Sequence, residues 1–200
     1  MRPVVTLVLL AATLACVAAP SARAHGDPAS EYLVGHQVYV PFDLKAPSAK
    51  ERQLVALVDE ANRAGFAVRV ALVWSSYDLG ARNTLWRKPQ LYARYLEADM
   101  RDAYKNRLLV VMPNGFGFSR LGHSTASEHD LLAKIPVEPG PAGFVSSSVA
   151  AVRALAAASA VRLSGATAAK PSSRSRDRVL IVIAALVLAV LLRFALRRRR

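Results

Sequence analysis

Three polar residues follow three apolar segments of this sequence at positions that could bring oxygen ligands together. Asp43 comes after Val38-Tyr39-Val40, Asp78 after the valine-rich run 67–74, and Asn114 after the apolar run 108–112. If those segments are strands of an open α/β sheet, their carboxyl ends border the crevice where ligands gather. Two carboxylates and an amide carbonyl suit a hard divalent cation such as calcium or magnesium, which selects oxygen donors. Two carboxylates are few for calcium, so such a site would bind weakly. The competing reading makes all three turn formers: Asp43 capping a turn, Asp78 with Gly80 in a β-turn, and Asn114-Gly115 in a hairpin.

Other reactive side chains are less well arranged. His123 and His129 flank Ser124, Ser127 and Glu128, with Asp130 adjacent. These types could furnish a nucleophile, a base and an orienting acid, but there is no G-x-S-x-G elbow to present a serine, and the segment reads as a solvated loop. No HExxH zinc pair is present, and Gly115-x-Gly117 lacks the following helix that a dinucleotide fingerprint needs. The single cysteine, Cys16, lies in the N-terminal apolar segment. Once that segment is removed, thiol catalysis, disulfides and cysteine zinc sites are excluded. Cleavage before His25 would expose a terminal amine and imidazole able to chelate copper if His36 approached. No catalytic residue is assigned.

The elements that would position these residues alternate between strand-like and helix-like patterns over 31–161. Val38-Tyr39-Val40 is a short strand stopped by Pro41. Ser48 and Glu51 have capping-box spacing, and Leu54, Leu57, Val58 and Ala61 then recur on one helix face, with Gly65 at the stop. The run 67–74 is almost wholly apolar, as in a strand covered on both faces. Pro89 opens a second helix with Tyr92, Leu96, Met100 and Ala103 inward. The run 108–112 is another buried strand, turned by Pro113-Asn114-Gly115 into a hairpin partner over 116–120. A helical turn is expected near 128–133, and Val145, Val149, Val152 and Ala156 mark a third helix. The expectation is an α/β three-layer sandwich, a small mixed or parallel sheet flanked by helices, over residues 25–162.

The chain ends address this domain. Arg2, an apolar stretch and Ala22-Arg23-Ala24 compose a secretory signal over 1–24. A polar linker over 163–178 precedes an apolar run, 179–196, interrupted only by Arg193. Eighteen residues at about 1.5 Å rise give roughly 27 Å, just enough to cross the hydrocarbon as one transmembrane helix. The arginines 197–200 form a basic tail that the positive-inside rule places in the cytoplasm. The net charge of +13 is largely a product of these ends. Two of the 27 basic residues lie in the signal and nine beyond Ala169, leaving 16 against 13 acids between. That balance is ordinary for a soluble domain and does not imply nucleic acid.

The stretch 65–122 resembles the TPM domain family of bacterial envelope and thylakoid-lumen proteins. The resemblance is carried by Val68-Arg69-Val70-Ala71-Leu72-Val73, by the helix holding Tyr92-Ala93, and by Asn106-Arg107-Leu108-Leu109-Val110-Val111. It implies a sheet flanked by helices, an extracytoplasmic location and a role in assembling or maintaining membrane complexes. It also implies phosphatase activity and calcium binding, which belong to some members. The chain departs from the family by having Tyr104-Lys105-Asn106-Arg107 in place of an acidic run and Phe116-Gly117-Phe118 in place of a charged hairpin. The combined expectation is a non-catalytic interaction or assembly module, single-pass in the membrane with its N-terminus outside. Its expected partners are membrane lipid, through the C-terminal helix, and another envelope protein. The alternative is a metal-dependent, phosphatase-like hydrolase with a weak divalent-cation site.

Overall fold

A computed structural model describes residues 27–164. The expected secretory segment, the apolar run 179–196, the basic tail, nearly all of the linker, Cys16 and His25 lie outside the described residues. Within them the chain forms helix α1 (Pro28–Gly35), strand β1 (Val38–Tyr39), helix α2 (Ser48–Arg63) and strand β2 (Val68–Leu72). A 3-10 segment (Ser76–Leu85) leads to α3 (Pro89–Met100), followed by β3 (Arg107–Met112), β4 (Gly115–Arg120), α4 (Ala126–Leu132) and α5 (Gly140–Ala158).

The four strands form one mixed sheet in the order β1-β2-β3-β4. The first three run parallel, with Val38 opposite Val70 and Val70 opposite Leu109. β4 returns antiparallel from a two-residue turn, so Met112 faces Gly115 and Arg107 faces Arg120. Side chains alternate across a strand, and both central strands are apolar on both sides. Val68, Val70, Leu72, Leu109 and Val111 enter a core with α2 and α5. Ala71, Val73, Leu108, Val110 and Met112 enter a second core with α1 and α3. Continuous hydrophobicity therefore reflects a sheet with helices on both faces.

Leu54, Leu57, Val58 and Ala61 are the buried face of α2, as their spacing predicts. Beyond its end Gly65 takes the left-handed conformation (φ 88°), and the Phe66 N–H bonds back to the Ala61 carbonyl at 2.9 Å. The expected capping box does not form. Pro47 occupies the cap position, its carbonyl accepting from the Lys50 and Glu51 N–H groups, so Ser48 is already helical and no side chain caps the helix. The Asn62 side chain instead ties this helix to β2, donating to the Val58 and Val68 carbonyls and accepting from the Val68 N–H.

Pro89 opens α3 as expected, but the helix ends at Met100, and Ala103 lies past it in an exposed turn. The helix α5 is long and apolar enough to cross a membrane by length and composition, yet half of its apolar window is buried inside the domain. Its apolar residues Phe144, Val145, Val152 and Leu155 belong to the first core.

Candidate functional site

Because β1, β2 and β3 are parallel neighbours, the loops that follow them all leave from one edge of the sheet. Asp43, Asp78 and Asn114 therefore stand along the same carboxyl edge, in three separate environments. Asp43 is exposed in the turn where the Leu44 N–H bonds to the Pro41 carbonyl. Asp78 is buried, and its Oδ2 accepts from the Trp74 and Ser75 N–H groups, each at 2.7 Å. That carboxylate closes the end of β2 and starts the 3-10 segment, a use shared by acidic residues at helix starts. Asn114 occupies the hairpin turn, and its Nδ2 donates to the Arg87 carbonyl at 2.8 Å. Among the described residues, no group of three or more His, Cys, Asp or Glu side chains is placed to hold a metal ion.

The same edge carries two aromatic side chains in water. Phe42, in the loop after β1, is 98% exposed, and Tyr77, in the segment after β2, is 85% exposed. Other aromatic rings here have partners: Trp74 packs edge-on against Phe144, with centroids 5.2 Å apart, and Tyr92 stacks on Tyr95. His36, the expected copper partner, lies flat on Tyr32 at 4.1 Å and bonds its carbonyl through Nδ1.

At the opposite end of the sheet, where β4 finishes beside the start of β3, a cleft of about 690 Å³ opens between α3 and the 121–126 loop. The histidines read from sequence as loop residues both line it. His129 is on α4, with its Nε2 3.2 Å from the Thr125 Oγ1, and His123 is in the preceding turn. Arg94 projects from α3, Arg101 from the residue that caps the C-terminus of that helix, and Arg120 from the end of β4. Arginines in this arrangement were not singled out from sequence. The available signal was the spacing of Gln90, Arg94 and Arg101 along one helix face, and only the hairpin adds Arg120 to it. Of the residues lining the cleft, Glu97 is the sole acid, and burial holds its carboxyl above the usual range, partly offset by Arg94.

A buried polar pair lies in the second core. The Tyr92 hydroxyl donates to the Asp27 Oδ1 at 2.8 Å, and the same oxygen caps α1 by accepting from the Ala29 and Ser30 N–H groups. The Tyr39 hydroxyl, near Asp78 and Asp27, is pushed up to about 12, first by burial and then by those two carboxylates. No family model, curated protein or solved structure matches this chain.

Proposed function

We propose that this chain is a membrane-anchored, extracytoplasmic interaction module of the bacterial envelope, non-catalytic, which offers the carboxyl edge of its sheet to another envelope protein. The observation that carries this reading is the pair Phe42 and Tyr77, nearly fully exposed on loops that leave neighbouring strands at one edge. Large aromatic rings bury more area per residue than most side chains and supply a disproportionate share of interface energy. Holding two of them in water has a cost that a partner would remove. The secretory pattern over 1–24, the apolar run 179–196 and its arginine tail support placement outside the membrane with a single anchor. The TPM resemblance points toward the same role, in assembling or maintaining membrane complexes.

A photoreactive amino acid placed at position 42 or 77 of the full chain in cells tests this directly. Both positions should crosslink the same protein, while the exposed positions Arg52 and Arg63 on α2 should not. Equal labelling from all four positions would remove the proposed surface.

A metal-dependent, phosphatase-like hydrolase is the second reading, favoured by one observation: Asp43, Asp78 and Asn114 share that edge. It requires phosphomonoester turnover that depends on calcium, magnesium or manganese. That turnover should disappear in Asp43→Ala and Asp78→Ala.

A further inference from the structure

The cleft at the other end of the sheet has a chemistry of its own. We propose that it binds a tetrahedral oxyanion, a phosphate group or its monoester, between Arg94 of α3, Arg101 at the C-cap of that helix and Arg120 of β4. This inference is independent of the partner surface, which lies at the opposite edge.

Guanidinium groups present planar forks of N–H donors that match the oxygens of such an anion, often two at a time. Arg94 and Arg101 are seven residues apart, two turns on one helix face, and Arg120 approaches from the end of the hairpin. The Thr125 hydroxyl and the His129 imidazole, 3.2 Å apart, add further hydrogen-bonding groups to the wall. Two other polar residues of the lining are already engaged. Gln90 bonds both backbone groups of Phe118, and Ser119 donates to the Ala93 carbonyl. The arginines thus face the cleft with Glu97 as the only carboxylate lining it.

A second feature concentrates positive charge at this end of the sheet, with the Glu128 carboxylate offsetting part of it at Arg107. Arg107 and Arg120 are direct cross-strand partners, and like charges directly opposite are destabilising. Arg107 copes by lying over the Phe66 ring at 4.4 Å, and its guanidinium is held below its ordinary value by burial and then by Arg120. A bound anion would offset that repulsion. At about 690 Å³ the cleft exceeds what a bare phosphate fills, and falls within the range of small-molecule sites. An organic substituent on the phosphate can therefore be accommodated.

Calorimetric titration of the full chain in a non-ionic detergent, with inorganic phosphate as probe, tests the site. Saturable binding is expected, weakened at least about tenfold in Arg94→Gln/Arg120→Gln, since each loses a charge-assisted hydrogen bond. Arg94→Lys, which keeps the charge but not the fork, should fall between. The exposed pair Arg52→Gln/Arg63→Gln serves as the charge control and should bind as the parent does. Thermal melting of each variant separates lost binding from lost folding. Parallel titrations with glycerol phosphate and with short-chain phosphatidic acid identify the source of the group. Preference for the first assigns a soluble metabolite, and preference for the second a lipid headgroup. Absence of saturable phosphate binding, or equal loss in the cleft and control pairs, overturns the proposal.

Discussion

Asp27 and Tyr92 are separated by 65 positions in sequence and joined by a 2.8 Å hydrogen bond in the second core. The carboxylate has two tasks at one oxygen, capping α1 and receiving the tyrosine hydroxyl, while its Oδ2 is buried without a hydrogen-bond partner among the described residues. Burial raises the Asp27 carboxyl above its ordinary value. The bonds from Ser30, Tyr92 and Ala29 oppose that shift without cancelling it, and the charge of Asp99 adds to it. Burial, followed by the Asp27 charge, also keeps the Tyr92 hydroxyl protonated far above its usual range.

This pair predicts a pH dependence with a definite sign. A carboxyl that binds its proton more tightly when folded loses stability as pH rises from the unfolded-state value, 3.8, toward the folded value. Asp27→Asn keeps an oxygen for the cap and the tyrosine but has no charge to bury. Its melting temperature relative to the parent should therefore rise as pH increases from 3.8 through the carboxylate range, then level off. Tyr92→Phe removes a bond to a charged acceptor and should cost about 1.5–3 kcal/mol above that range. A parent-minus-Asn difference that is flat with pH would show that Asp27 ionises as readily in the folded state as in the unfolded chain.

Asp78 separates the two functional readings by stability alone. Its Oδ2 holds two part-buried backbone N–H groups at 2.7 Å, and leaving donors unsatisfied costs up to about 1–3 kcal/mol. Asp78→Ala should lower the melting temperature by the same amount in calcium and in chelator. A calcium-dependent stabilisation present in the parent, and absent in both Asp78→Ala and Asp43→Ala, would instead assign the carboxyl edge to a metal ion.

Periodic segments were the legible part of this chain. Leu54, Leu57, Val58 and Ala61 had to share a helix face, and the apolar run around Val110 had to be a strand covered on both sides, because each pattern reports its own local geometry. The hairpin from β3 to β4 was equally visible in Pro113-Asn114-Gly115. Ser48 and Glu51 matched a capping signature that Pro47 pre-empted by holding the cap position itself. The same spacing recurs at Ser75 and Asp78, where the box does open the 3-10 segment, and Asp27 followed by Pro28 supplies the N-cap and first-turn proline of α1. The basic cleft was legible only as the spacing of Arg94 and Arg101, because Arg120 joins them from a strand end that only the sheet topology brings near. Likewise, Phe42 and Tyr77 look like any aromatic residues until their exposure is known.

The free side of β4 carries the last prediction. This strand ends the sheet, and an unpaired edge invites another chain to add to it. Gln90 occupies that position in place of a strand, its Oε1 accepting from the Phe118 N–H at 2.9 Å and its Nε2 donating to the Phe118 carbonyl at 3.0 Å. So close an approach of α3 requires Gly117, where a Cβ would overlap the Pro89 carbonyl and the Gln90 nitrogen. Gly117→Ala must push α3 off the strand, at about 3 kcal/mol or more, because neighbouring backbone rather than a movable side chain is in the way. Gln90→Ala leaves α3 in place but strips both bonds, at about 1–3 kcal/mol. Chemical denaturation of the two variants should rank them in that order, and size-exclusion chromatography should show concentration-dependent association in both. If Gly117→Ala unfolded at the parental denaturant midpoint and remained as monodisperse as the parent, the contact between Pro89 and Gly117 would not be what holds α3 against the edge of the sheet.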